Sequence, residues 1–584
     1  MRKIVVASVI LILVAAAGAY VYFYQPFEKQ TPIESLLPGD TLGLVRVCEL
    51  KQQIERFKAG KMGRTLAGMD LAGLMAAMEV SPTRRAEINA SLARFMDTVN
   101  SPWFDALFGQ DVALALIKAP FNPQQPDAPD ADDLQPLLDA IVLVARPRQP
   151  ARILDSLNSM FATQLSVQSQ EFQQWKINQF AVDNGQQVYY ALTDGVVIAG
   201  LSAEPVKRCL EQSLATVPSL LQAQAYQTLC GPLFKAGQTD LFAFGDTGRL
   251  ITLLQEEFEH RAASDPEIAK LKPQLDRMRG IETIGFVQYD DGGPLVRMKM
   301  VVGIDKQHME PSMAATTAIE PMANPTLASV PADALIYSWQ NNFDLKFYWQ
   351  ELQRHPAITP ETVAQIEQSF AQKTGMELDQ FLEAFGTQAG MLVNDLNTGG
   401  MFPIPELALF IQAKQPEVIN QFIRQQAEQF KMPVLQESYQ GTDLQYIMLP
   451  LGGDMSPAYT FSKGFCTLAL NRTLLKSMLD EKGTNRLSSH PNFKAVNQGL
   501  TDKNNQVFYM RTEGLVAKAR DIVNWAMTWT AMTKPEEAEQ ARQIMELGVN
   551  PLLDGLSMFK AVGGRTYNLE DRINCDMQVL LDRT

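Results

Sequence analysis

At 584 residues the chain is too long for one compact core, and about 150 residues per domain allows two to four domains. Hydrophobic residues make up 46% and charged residues 20%, a balance that excludes a disordered chain. The net charge is −14, and Arg2 and Lys3 leave −16 for everything after them. No basic stripe interrupts that acidity, which argues against nucleic acid as a partner.

Arg2 and Lys3 precede an uncharged stretch from Ile4 to Tyr24. As a helix these residues would reach roughly 32 Å, enough for a bilayer core. The two cations place the N-terminus in the cytoplasm, and Tyr20, Tyr22, Phe23 and Tyr24 read as the aromatic belt of the far interface. Ala17-Gly18-Ala19 also fits a signal-peptide cleavage site. Either reading exports the remainder. Residues 1–31 are therefore expected to form a membrane anchor, or an uncleaved signal, and a stalk.

The rest of the chain carries an internal echo. Leu37-Pro38-Gly39-Asp40-Thr41 leads into an apolar strand, as does Val330-Pro331-Ala332-Asp333. A helix follows each, with Leu50, Ile54 and Phe57 in the first and Leu345, Trp349 and Leu352 in the second, spaced as buried stripes. Phe108-Gly109 and Phe385-Gly386 each precede a further strand. Continuous apolar strands Ala140–Ala145 and Leu407–Ala413 then end at Gln149-Pro150 and Gln415-Pro416, where the prolines open helices. Those helices show Leu154, Leu157 and Phe161, then Ile419, Phe422 and Phe430. The pairs Asp194-Gly195 and Lys463-Gly464 mark hairpins, because such turns need positive φ. Both series close on β-rich stretches, Ile281–Ile304 and Leu556–Leu581.

This order predicts an α+β fold: two tandem homologous repeats of mainly antiparallel sheet packed with helices, over 32–305 and 328–584, preceded by one N-terminal transmembrane helix. Residues 306–327, rich in Pro, Ala and Thr, read as a linker. The continuous strands imply sheet covered on both faces.

Chemistry-bearing motifs are scarce. Cys48, Cys209, Cys230, Cys466 and Cys575 show no ligand spacing; Cys209 and Cys230 could pair in an oxidising compartment, and otherwise all five read as buried apolar groups. The four histidines, His260, His308, His355 and His490, are scattered. Asp127, Asp130, Asp132 and Asp133 lack the glycine and terminal glutamate of a calcium loop, so Ala119–Asp133 reads as a solvated insertion. Ser202 sits where an N-cap is expected rather than a nucleophile. Gly452-Gly453 and Gly563-Gly564 lack the lysine of a phosphate loop and read as turns. Trp103, Trp339, Trp349, Trp525 and Trp529 could line a groove, although core packing explains them as well. No catalytic, cofactor or metal residue is assigned.

The Pro/Asp turns at Leu37–Thr41 and Val330–Asp333, the Phe-Gly pairs, and the passages Ala225–Phe244 and Pro491–Tyr509 resemble a family of bacterial envelope proteins catalogued as a domain of unknown function. The resemblance implies membrane anchoring and export, and brings no catalytic residue. The expected protein is a non-enzymatic binding or scaffold protein, membrane-anchored on the periplasmic side of the inner membrane, with an envelope protein as partner. Its alternatives are a carrier or sensor of an apolar ligand such as lipid, which a mainly apolar cavity would favour, and an unrecognised hydrolase.

Overall fold

The computed structural model describes residues 32–117, 135–147, 167–181, 186–193, 195–214, 217–235, 237–262, 272–354, 358–398, 403–449, 456–480 and 485–583. The apolar stretch Ile4–Tyr24, the insertion Ala119–Asp133, Gln149-Pro150 and the helix after it, Asp194, His355 and Gly452-Gly453 lie outside the described residues. The chain forms two compact units. Unit 1 takes in the chain up to Arg64, Met78–Gly293 and Met298–Glu310; unit 2 takes in Thr65–Ala77, Pro294–Arg297 and Pro311–Thr584.

Unit 1 carries β1 (Gly43–Cys48), β2 (Asp111–Leu116), β3 (Ile141–Arg146), β4 (Gln168–Phe172), β5 (Trp175–Ala181), β6 (Gln187–Thr193), β7 (Val196–Gly200), β8 (Thr239–Asp246) and β9 (Ile281–Asp290), from which the chain returns along β10 (Leu295–Ile304). Across the sheet the order is β9-β8-β1-β2-β3-β7-β6-β5-β4, antiparallel at every step. The Pro/Asp turn starts β1 for a local reason. The Thr41 hydroxyl donates to Pro38 O at 2.6 Å, and Arg208 holds Asp40 at 2.5 Å, so Leu42 enters the ladder with its N–H on Leu116 O. Alternate residues then face inward: Leu44 packs with Val144, Ile198, Tyr226, Phe242 and Phe244.

Unit 2 carries β11 (Met322–Ala323), β12 (Ile336–Gln340), β13 (Phe385–Asn397), β14 (Ile404–Ala413), β15 (Val434–Tyr439), β16 (Thr442–Ile447), β17 (Ala458–Ser462), β18 (Phe465–Ala469), β19 (Lys503–Asn504), β20 (Gln506–Met510), β21 (Phe559–Asn568) and β22 (Arg572–Leu581). Its main order is β22-β21-β20-β12-β13-β14-β18-β17-β16-β15. From β21 to β15 this is, strand for strand, the order of unit 1 from β9 to β4, with β22 beside β21 as β10 is beside β9, and the register agrees too. Leu335 donates to Val393 O as Leu42 does to Leu116 O, and the core holds Tyr337, Leu392 and Tyr509 where unit 1 has Leu44, Ala115 and Phe244. Lys463 and Gly464 take φ of 52° and 80°, and Gly195 takes 80°, as the hairpin turns require.

The expected fold needs correction. Among the described residues no helix is long and apolar enough to cross a membrane. The longest, Thr512–Thr533, carries Glu513, Lys518, Arg520 and Asp521, and Pro82–Asn100 carries five charged residues of its own, too many for a hydrocarbon environment. Nor are the units two consecutive stretches of chain, since Thr65–Ala77 is counted with unit 2, where Gln540 Nε2 donates to Ala77 O at 2.8 Å. Residues 306–327 hold the helix Pro311–Thr317 and β11, which pairs with β19. Buried Asn341 and Asn505 donate to Glu320 O and Ile319 O, so this segment is fastened to unit 2 by side-chain amides.

Candidate functional site

The outward face of the unit 2 sheet is where the packing opens. Opposite the core, β18, β14, β13, β12, β20, β21 and β22 present one row of Leu468, Leu409, Met391, Ser338, Phe508, Gly564 and Met577. Two residues along each strand runs a second row: Cys466, Ile411, Ala389, Gln340, Gln506, Thr566 and Cys575. Both rows line a cavity of about 720 Å³, inside the range of roughly 300–1,000 Å³ typical of small-molecule sites.

Its wall comes from helices on the same side. Phe381 of helix Leu378–Glu383 and Ile419, Phe422 and Ile423 of helix Pro416–Gln429 line it, together with Phe343 and Phe385. Phe381 lies 4.4 Å from Phe422 and 5.1 Å from Phe385, ring centre to ring centre, and Phe370 stacks behind at 5.4–5.8 Å. Such interlocked rings hold the wall open instead of letting it collapse onto the strands. Leu409, at 47% exposure, and Phe508, at 39%, remain uncovered on the floor.

Of the described residues lining the cavity, Arg565 alone is charged, and the ladder sets its side chain on the opposite face. There it bonds Asn497 Oδ1 and Gly564 O and lies 5.7 Å from the Phe493 ring. Burial lowers its guanidinium to about 10. The cavity therefore offers apolar surface and neutral hydrogen-bonding groups.

Unit 1 contains a different cluster, made of buried charge. Arg46 donates to Glu34 at 2.7 Å and to Asp111 at 2.5 Å, with Arg146 3.8 Å from Asp111 and the Phe234 ring 4.1 Å from the Arg46 guanidinium. Burial opposes the charge on Arg46, but the two carboxylates outweigh it and hold the guanidinium above its ordinary range. Beside it the Cys48 thiol is pushed up to about 12, chiefly by burial and then by Asp111, so no thiolate nucleophile is available there. The cluster fastens the start of the described chain to β1 and β2.

The family described as "Protein of unknown function (DUF3352)" matches residues 108–526, more than half of the chain, in a single copy. The chain belongs to that family. No curated protein and no solved structure matches it. The DUF3352 match takes in β12–β14, β18 and β20 and both helices of the wall, and stops before Gly564, Thr566, Cys575 and Met577.

Residues singled out in the sequence fall mostly elsewhere. Burial pushes the Cys209, Cys230 and Cys466 thiols up to about 12, and the described cysteines are free. Ser202 is the residue before helix Ala203–Gln212, with no side-chain cap bond. Trp339 belongs to the core cluster and is also among the residues lining the cavity, whereas Trp525 and Trp529 stack on one helix. Among the described residues no group of three or more His, Cys, Asp or Glu could hold a metal ion. The Gly563-Gly564 pair is no turn. It lies within β21, where a Cβ on Gly563 would come 2.6 Å from Val496 Cγ2, while Gly564 keeps the cavity floor low. The cavity was missed because Leu407–Ala413 reads as strand covered on both faces, whereas only Ala408 and Phe410 are buried.

Proposed function

We propose that this DUF3352 protein is a non-enzymatic binding protein of the bacterial envelope whose second unit holds an apolar ligand, of the size of a lipid chain. The cavity carries this reading: a pure scaffold gains nothing from about 720 Å³ of unfilled apolar space, which costs stability. Export rests on Arg2, Lys3 and the uncharged sequence Ile4–Tyr24. The shared strand order and register support an origin of the two units by duplication, with the ligand site a property of the second.

The test is saturable binding of a neutral apolar fluorophore such as Nile red to the delipidated full chain. Gly564→Leu fills the floor without backbone conflict, since the nearest atoms to a Cβ there are 3.6 Å away. Wild type should bind at one site with a blue shift, and Gly564→Leu should weaken binding at least tenfold. Absence of saturable binding, or equal binding by the variant, contradicts the reading.

A further inference from the structure

We infer that the ligand of the unit 2 cavity is a neutral single-chain amphiphile, its aliphatic chain under the aromatic wall and its uncharged hydrogen-bonding head on the amides of Gln340 and Gln506. The inference rests on reading the cavity as a binding site and adds the class of ligand.

Three observations carry it. First, polarity is segregated within the cavity. Phe381, Phe385, Ile411, Ile419, Phe422 and Ile423 form a continuous apolar side, whereas Gln340, Gln506 and Thr566 stand next to one another on β12, β20 and β21. Secondly, the two amides have unused capacity. The Thr566 hydroxyl interacts with the Cys575 thiol, but among the described residues neither glutamine side chain has a hydrogen-bond partner. Each amide offers two donor hydrogens and an acceptor oxygen, a set matched by a hydroxyl, ester or amide head. Thirdly, the fold does not require glutamine there. At the same register positions unit 1 pairs Val47 with Leu241, so the ladder forms equally well from apolar residues.

Charge decides against an anionic head. Among the described residues a carboxylate at this row would meet no lining cation, because the Arg565 guanidinium is engaged on the far side of the sheet with Asn497 and Phe493. Burying an unpaired carboxylate is far more costly than burying a neutral group that is hydrogen-bonded. A bare alkane fails for the opposite reason, since it would cover two amides and leave them unsatisfied. Fatty alcohols, fatty amides and monoacylglycerols satisfy both ends.

The experiment compares monolaurin, laurate and dodecane as displacers of Nile red from the full chain, in wild type and in the Gln340→Leu/Gln506→Leu variant. Monolaurin should displace the probe at least tenfold more tightly than laurate at pH 8 or dodecane. In the variant that preference should vanish, with dodecane gaining. A second readout needs no variant: laurate should tighten in wild type as the pH is lowered and its carboxyl becomes neutral. Laurate as tight as monolaurin at pH 8, or a preference unchanged in the variant, overturns the assignment of the head while leaving the cavity reading intact. Displacement by none of the three in wild type overturns the cavity reading itself.

Discussion

His490 precedes the helix Pro491–Asn497 and accepts the Asn492 N–H through Nδ1 at 3.2 Å, a role open only to the neutral ring. Burial, reinforced by Arg511, holds its imidazole below the ordinary 6.5. The folded chain thus binds this proton more weakly than the unfolded chain. Its contribution to stability is full above pH 6.5 and is lost as the pH falls below that value. His490→Asn keeps a capping acceptor without the titration, so thermal melts at pH 7.5 and 5.5 should show wild type losing more on acidification than the variant. Equal losses would remove His490 from the account. At Arg46 the expected effect is larger. Truncation to alanine leaves the buried Glu34 and the half-buried Asp111 without the Arg46 guanidinium, and denaturant unfolding should show a loss of about 3–5 kcal/mol. Arg542→Ala removes an exposed pair with Glu539 and Glu546, and its unfolding midpoint should not move. Equal effects would mean that the buried cluster adds nothing.

Between elements, two glycines at one register position carry close packing in both units. Gly285 on β9 and Gly563 on β21 pair with Phe244 and Tyr509, and a Cβ would lie 2.7 Å from Cys230 Sγ in the first and 2.6 Å from Val496 Cγ2 in the second. Each alanine variant should therefore lose about 1–3 kcal/mol by overpacking, and Val496→Ala should restore part of the loss in Gly563→Ala. Additive losses instead of rescue would show that the contact is not the cause.

Strands and turns were legible because alternation and X-Gly pairs act locally: the hairpins at Gly195 and Gly464, and the closing pair β21–β22, stand where the pattern places them. The helix stripes were less so. Phe57 is 54% exposed and Leu352 47%, since spacing shows that residues share a face but not that anything covers it. For the same reason the cavity was invisible. Leu409 and Leu143 look alike in sequence, yet Leu143 is buried and Leu409 lies on an open floor. Periodicity also cannot reveal amides such as Asn341 and Asn505 fastening a Pro/Ala/Thr-rich segment.

For the whole molecule, the proposed envelope location makes a direct claim. A periplasm-active reporter fused after about residue 60 should give signal, by the positive-inside rule, and a cytoplasm-only reporter should not; the reverse pattern would refute export. The central claim concerns ligand occupancy of unit 2, and two methionines report on it. Met391 and Met577 line the cavity, whereas Met309 and Met478 are buried outside its lining. The decisive measurement is methyl NMR of the methionine-labelled full chain titrated with monolaurin. Met391 and Met577 should shift in step and saturate together while Met309 and Met478 stay in place. Unmoved Met391 and Met577, or shifts confined to other methionines, would contradict a ligand in this cavity.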